Sequence, residues 1–239
     1  MRLLVSVRTP TEANRALAGG AEIIDAKEPA HGALGAVSAT TLRAIRAAVP
    51  PQVALSAALG DVATGADVLG RLAAVTVPLA FVKLGFRGVP DPRRVETLIE
   101  AAVGRAKRLP GRPAVIAVAY ADFRRAGSPA PESFVTVLPR GGAGGLLVDT
   151  CFKDGGGLFA ALSVDQLAAL GSALNAEALT FAVAGSLGQE QVRAARDVGA
   201  AIFGVRGAVC RGGRGGEVEE DLVRRLAEAV GSEPTLATV

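Results

Sequence analysis

The chain has 239 residues, half of them apolar, which is enough to bury the core of one domain of barrel size. No run of roughly 18 or more apolar residues marks a membrane span, and a net charge of +3 does not call for a nucleic-acid partner. Cys151 and Cys210 form neither a metal-ligand spacing nor a disulfide framework, and the amino terminus is too short for a signal peptide. We therefore expect a cytoplasmic protein without a metal, a membrane or a nucleic-acid partner.

Apolar segments rich in β-forming residues recur eight times along the chain. Segments that are apolar throughout, rather than alternating, are typical of parallel strands buried on both faces. The predicted strands are residues 2–7, 21–26, 53–59, 80–86, 114–120, 145–150, 179–185 and 201–205.

Helix signals lie between these strands. Thr11 opens a first helix that Gly19 stops, Ser38 and Ser163 are predicted N-caps, and the apolar spacing within 91–107 marks one helix face. Two connections are weaker, because one contains two glycines and the other three prolines. The predicted helices are 40–49, 91–107, 164–174, 189–198 and 217–230, and the weaker connections are 62–77 and 125–142.

Eight strands alternating with helices predict a single α/β domain, a (β/α)₈ TIM barrel over residues 1–230, with a loose tail over 231–239. A doubly wound open sheet is the rival. It usually needs fewer strands, and it would carry a glycine-rich turn after its first strand. The chain has Arg8-Thr9-Pro10-Thr11 there, which favours the barrel.

Lysine is rare and unevenly placed. Only four of the 26 basic residues are lysines, and three of these, Lys27, Lys83 and Lys153, lie at or just past the carboxyl end of an apolar segment. An arginine stays protonated, whereas a desolvated lysine can lose its proton and attack a carbonyl carbon to form a Schiff base. The placement indicates amine chemistry at one mouth of a barrel.

The topology predicts that these lysines converge with two aspartates. Lys27, Lys83 and Asp149 belong to even-numbered strands, which contribute to shared interior layers of a barrel. Asp25 lies two residues before Lys27 and so faces the same way, while Lys153 follows in the loop after strand six. A set of structural ion pairs at the rim is the alternative interpretation.

A phosphate site is predicted after strands seven and eight, where barrels often bind phosphate. Gly185 permits close backbone approach, Ser186 can donate a hydrogen bond, and Arg206 with Gly207 would add charge and a further amide. The glycine- and arginine-rich segment 210–216 lacks the aromatic residues of an RNA-binding platform and is interpreted as a loop. Catalytic and structural interpretations both stay open for His31, Asp61, Tyr120 and Asp122.

Nearly end to end, the chain resembles the (5-formylfuran-3-yl)methyl phosphate synthase family of methanofuran biosynthesis. The resemblance depends on several short segments in order and spacing, none of them specific alone. They are residues 3–6, 20–27, 34–36, 56–57 with 60–61, 82–85, 120–122, 149–150 with 153–155, 184–186 and 204–208.

This resemblance implies a barrel enzyme, a carbon–oxygen lyase acting on phosphates, that needs no metal or organic cofactor. It would condense two glyceraldehyde 3-phosphate molecules, with loss of one phosphate and two waters. Lys27 would form the Schiff base, Lys83 would accept a proton as a neutral amine, and Asp25, Asp149 and Lys153 would complete the proton-transfer shell. The chain departs from the family pattern at 154–157, where glycines leave only backbone contacts to phosphate.

Two other functions remain open. One is a class I aldolase acting on triose phosphates, and the other is a non-catalytic phosphosugar-binding barrel. An isomerase is disfavoured. Its chemistry would prefer a Glu base with a His electrophile, and Glu28 is the only glutamate near a strand end while His31 is the only histidine. Helices rich in Ala, Leu and Val also predict a homo-oligomer.

Overall fold

The computed structural model describes residues 1–232. Eight parallel strands form a closed barrel in which each strand pairs with the next along the chain and the last pairs with the first. The strands are β1 (Arg2–Val7), β2 (Ile23–Ala26), β3 (Ala54–Asp61), β4 (Phe81–Gly85), β5 (Ala114–Tyr120), β6 (Gly145–Asp149), β7 (Thr180–Val183) and β8 (Ile202–Val205). The predicted (β/α)₈ barrel is confirmed, and the doubly wound sheet is wrong.

Helices connect the strands on the outside of the barrel. They are α1 (Pro10–Ala18), α2 (Ala39–Ala48), α3 (Gly65–Ala73), α4 (Pro92–Ala106), α5 (Phe123–Ala126), α6 (Phe134–Gly141), α7 (Leu158–Ala161), α8 (Val164–Ala176), α9 (Val192–Asp197) and α10 (Glu220–Gly231). A short hairpin of β9 (Cys210–Arg211) and β10 (Glu217–Val218) follows β8.

The apolar strands are buried on both faces because two separate cores flank them. One core fills the space between the outer face of the barrel and the helices, and includes Leu3, Val5 and Ile24. The other lies inside the barrel and includes Leu4 and Ile23. Neighbouring residues of one strand thus point into different cores, which explains the absence of polar alternation.

Helix starts follow the predicted capping residues. The hydroxyl of Ser38 accepts from Thr41 N at 3.0 Å, and that of Ser163 accepts from Gln166 N at 3.2 Å. The first helix begins at Pro10, one residue before the predicted Thr11, because Thr9 acts as its N-cap. These caps satisfy amides that have no partner within the helix.

The helix predicted over 217–230 is wrong in its first residues. Glu217 and Val218 form β10 and pair with Arg211 and Cys210, so the helix begins only at Glu220. This local pairing holds the segment that precedes the last helix against the loop after β8.

The last helix ends at Gly231, and most of the predicted loose tail, residues 233–239, lies outside the described residues. Within residues 1–232, no helix is both long and apolar enough to cross a bilayer.

Candidate active site

A cavity of about 680 Å³ extends from the loops after the strands down into the barrel. Small residues, namely Ala182 on β7, Ala184 just after it and Gly204 on β8, leave the interior open on that side. The predicted residues that line it are Lys27, Lys83, Asp149, Lys153, Gly185, Ser186, Arg206 and Gly207. Asp25 does not line the cavity and is completely buried.

Asp25 is the centre of a buried polar cluster. Its carboxylate accepts from Lys83 Nζ at 2.6 Å, from Ser56 Oγ at 2.7 Å and from Ser6 Oγ at 2.9 Å. Burial alone would raise the pKa of Asp25, but the charges of Lys83 and Lys27 and these hydrogen bonds hold it below its ordinary value. Asp25 is therefore ionised at neutral pH.

The sequence predicts a free amine at Lys83, surrounded by other cations, but the structure pairs it with a carboxylate. Its ammonium forms an ion pair with Asp25, and both side chains are sealed from solvent. A counter-charge this close offsets the repulsion from neighbouring amines. Lys83 is therefore one half of a buried ion pair rather than a free amine.

Lys27 is the lysine with the most perturbed amine. Its side chain lines the cavity and is only 8% exposed, and its Nζ has no hydrogen-bonding or ion-pair partner within residues 1–232. Burial lowers the pKa of Lys27 to about 8, with Asp149 opposing and Lys83 reinforcing the shift. At neutral pH about a tenth of the amine is unprotonated, the form that attacks a carbonyl carbon.

Asp149 and Lys153 form the second ion pair of the site. Lys153 Nζ donates to Asp149 Oδ1 at 2.6 Å, and to the carbonyl and hydroxyl oxygens of Thr150 at 2.7 and 2.9 Å. Burial works to raise the pKa of Asp149, but the charges of Lys153 and Lys27 outweigh it and lower the pKa. The charges of two ionised carboxylates, Asp149 and Asp25, thus act on Lys27 and would stabilise a cation at its Nζ.

The backbone part of the predicted phosphate site is the loop after β7. Gly185 and Ser186 adopt φ angles of 110° and 55°, and neither N–H donates to a protein oxygen within residues 1–232. Two adjacent N–H groups without a protein acceptor can donate to an anion. A Cβ at Gly185 would lie 3.1 Å from Thr150 N, so glycine also permits close packing on the β6 loop.

Arg206 does not fit its predicted role as a phosphate-binding side chain. It is buried, and its guanidinium makes a bidentate ion pair with Glu12 with N–O distances of 2.9 and 3.1 Å. Its remaining N–H groups donate to the carbonyl oxygens of Ser6, Arg214 and Gly216. All five donors are occupied, so the side chain has none left for a ligand.

Comparison with known proteins agrees with this geometry. Residues 3–227 match the family model described as 4-HFC-P synthase. The chain belongs to this family. Relatives named (5-formylfuran-3-yl)methyl phosphate synthase include one from Methanothermobacter thermautotrophicus, 34% identical over 97% of this chain and 100% of that protein. Another, from Methanopyrus kandleri, is 37% identical over 96% of this chain and 98% of that protein.

These names confirm the resemblance found in the sequence and support an enzyme, a synthase. The solved structures that are similar to this chain are also barrels. A 3-hexulose-6-phosphate synthase has a TM-score of 0.65 at 18% identity, covering 97% of this chain and all of that one. A phosphoribosyl anthranilate isomerase from Thermotoga maritima has a TM-score of 0.65 at 16% identity, covering 96% and 98%. At such identities the likeness shows the fold alone.

Asp122, whose role the sequence left open, holds the loop that carries Lys153. Its two carboxylate oxygens accept from Cys151 N at 2.7 Å and from Phe152 N at 2.9 Å. The next residues of the loop are tied by an ion pair between Asp154 and Arg125. Asp122 therefore acts on the site through the backbone immediately before Lys153.

The other residues whose roles the sequence left open do not line the cavity. Tyr120 is fully buried and donates to Asp61 Oδ1 at 2.7 Å, and burial raises its pKa well above the ordinary value. His31 is exposed at the end of a short turn. Within residues 1–232, no group of His, Cys, Asp or Glu is placed to hold a metal ion.

Sequence reasoning missed Ser6, Ser56 and Glu12 as partners of the predicted residues. The two serines face the barrel interior at the register of Asp25, because Asp25 pairs with Ser6 of β1 on one side and with Ser56 of β3 on the other. A polar residue within an otherwise apolar strand was the available signal for both. For Glu12 the sequence held no such signal, because its partner Arg206 lies 194 residues away.

Proposed function

We propose that this protein is a (5-formylfuran-3-yl)methyl phosphate synthase that condenses two molecules of glyceraldehyde 3-phosphate for methanofuran-type cofactor biosynthesis. The product would retain one phosphate, while the other phosphate and two waters leave, which makes the enzyme a carbon–oxygen lyase. Family membership supports the product, and the state of Lys27 supports the chemistry.

The observation that carries the proposal is a buried, unpaired amine on which the charges of two ion pairs act. Lys27 Nζ, partly unprotonated at neutral pH, attacks the aldehyde carbon of one triose phosphate, and loss of water gives an iminium. Asp25 and Asp149, ionised on either side, stabilise that cation. The iminium acidifies the adjacent carbon, so its proton can be removed.

In the proposed mechanism the Lys83–Asp25 pair removes that proton. Lys83 would take it after passing its own proton to Asp25, which lies 2.6 Å away. The resulting enamine attacks the carbonyl carbon of the second triose phosphate and forms the new carbon–carbon bond. Elimination of phosphate and water, then ring closure and release from Lys27, lead to the furan, and Lys153 beside Asp149 would return protons to leaving oxygens.

Product analysis tests this proposal. Incubation with glyceraldehyde 3-phosphate is expected to release inorganic phosphate and a furan aldehyde with a conjugated ultraviolet absorbance, identified by mass. Lys27→Arg should abolish the product, whereas Lys107→Arg, at an exposed position on the outside of the barrel, should not change the rate.

The two alternative functions give other outcomes. A class I aldolase would form a phosphorylated hexose without releasing phosphate or absorbing as a furan. A non-catalytic phosphosugar-binding barrel would bind the triose without turnover, and Lys27→Arg would leave the affinity nearly unchanged. Either result would refute the synthase proposal.

A further inference from the structure

The hairpin after β8 extends over the cavity and carries a second arginine. Arg214 lies in the turn between β9 and β10, and it lines the cavity together with Gly185, Ser186 and Gly207. A Cβ built on Gly207 would lie 3.6 to 3.8 Å from the backbone N and Cα of Arg214. Arg214 is thus next to the loops where phosphate was predicted to bind.

The position of Arg214 is fixed from both sides. The buried Arg206 donates from Nε to the carbonyl oxygen of Arg214 and from Nη2 to that of Gly216, each at 2.9 Å. Across the mouth, Arg214 Nη2 donates to the carbonyl oxygen of Gly32 at 2.6 Å. The Glu12–Arg206 pair therefore holds the hairpin, and the hairpin presents Arg214 to the cavity.

Arg214, unlike Arg206, has unused donors. Only one hydrogen bond from its guanidinium is formed within residues 1–232, out of the five N–H groups that an arginine carries. The side chain is half-buried, and it stays charged at neutral pH. The carboxylates whose charges act on Arg214 are Asp149, which is paired with Lys153, and Glu28, and neither forms an ion pair with its guanidinium within residues 1–232.

We propose that Arg214 is the side chain that binds a substrate phosphate, together with the free backbone N–H groups of Gly185 and Ser186. The inference rests on the proposed function for the identity of the ligand, a triose phosphate. The charge and planar donors of the Arg214 guanidinium suit a phosphate group, which can accept two parallel N–H hydrogen bonds. Arg206 is reassigned from ligand binding to holding the hairpin.

Calorimetric titration with glycerol 3-phosphate tests the inference without any imine chemistry, because this probe has no carbonyl group. Arg214→Gln is expected to weaken the affinity by about 10- to 100-fold, the effect of losing one or two charge-assisted hydrogen bonds. Arg214→Lys should weaken it less. Arg211→Gln is the matched control, because Arg211 lies on the same hairpin with its side chain 82% exposed and does not line the cavity.

Thermal unfolding and near-ultraviolet circular dichroism show whether Arg214→Gln keeps the wild-type fold, and both should match the wild type. The inference is overturned if Arg214→Gln binds glycerol 3-phosphate as tightly as the wild type, if Arg211→Gln loses as much affinity, or if the wild type does not bind the probe. A wild type that binds the probe through Arg214 but makes no furan would refute the proposed function and leave this inference standing.

Discussion

Lys83 Nζ lies 2.6 Å from Asp25 Oδ2, with both side chains sealed inside the barrel. Of the three lysines that line the cavity, this pair leaves Lys27 as the one without an ion-pair partner within residues 1–232, since Lys153 is paired with Asp149. The division between two paired lysines and one unpaired lysine separates their chemical roles, and four predictions follow from it and from the surrounding contacts.

Removing the amine of Lys27 should stabilise the protein at neutral pH. The unfolded chain keeps the ordinary pKa of 10.5 while the folded pKa is about 8, so the unfolded state binds more protons between these values. The penalty for burying the protonated amine is thus fully present below pH 8 and relieved as the pH rises towards 10.5. Lys27→Met should raise the free energy of unfolding at pH 7 by up to about 3 kcal/mol.

Denaturant unfolding of wild type and Lys27→Met between pH 7 and 10 measures this effect. The gap between the two proteins should shrink as the pH rises. Lys107→Met, at an exposed position, should show no such trend. A gap that is absent at pH 7 or independent of pH would contradict a depressed pKa at Lys27.

Breaking the buried ion pair should be costly at neutral pH. Lys83→Met leaves the Asp25 carboxylate inside the barrel with only Ser6 and Ser56 as donors, and about 3–5 kcal/mol of stability should be lost. The loss should diminish at acid pH, where the uncompensated carboxylate takes up a proton. Urea unfolding of the wild type and Lys83→Met at pH 7 and pH 5 measures this difference. A loss of stability that is equal at both pH values would mean that cavity formation dominates.

The bidentate pair beneath the hairpin predicts unequal effects for two glutamates. Glu12→Gln leaves the buried guanidinium of Arg206 without a counter-charge and should cost about 3–5 kcal/mol. Glu22→Gln, which removes a half-exposed pair with Arg2, should cost about 1 kcal/mol or less. Thermal unfolding of both variants checks the difference. Similar losses would show that the Glu12 pair adds nothing beyond a surface pair.

Asp122 should affect turnover through the loop that it holds. Asp122→Ala frees the N–H groups of Cys151 and Phe152, so Lys153 loses its fixed position and kcat should fall about 10-fold or more. Imine formation at Lys27 should be unaffected, because it precedes the steps assigned to Lys153. Asp154→Ala, which removes the exposed pair with Arg125, should alter kcat little. Equal effects on imine formation and kcat would exclude a role confined to Lys153.

The barrel and the convergence of the lysines were predictable because they depend on local patterns. Continuous apolarity revealed the parallel strands, and the two-residue spacing of Asp25 and Lys27 placed both on the inner face of β2 and its extension. Strand ends come together at one mouth in any such barrel, so Asp149 and Lys153 followed.

The pairing of the charges was not predictable in the same way. Register and distance across the barrel decide that Lys83 contacts Asp25 rather than remaining unpaired. They also decide that the guanidinium of Arg206 is paired with Glu12. A glycine-rich segment such as 210–216 gives no period to interpret, so the placement of Arg214 over the cavity emerged only from the folded hairpin.

Covalent trapping tests the central claim about Lys27. Reduction with borohydride in the presence of glyceraldehyde 3-phosphate, followed by peptide mass mapping, should place a reduced triose adduct on Lys27, and Lys27→Arg should take up none. An adduct on Lys83 or Lys153 in its place, or no adduct in a protein that still makes the furan, would contradict the account.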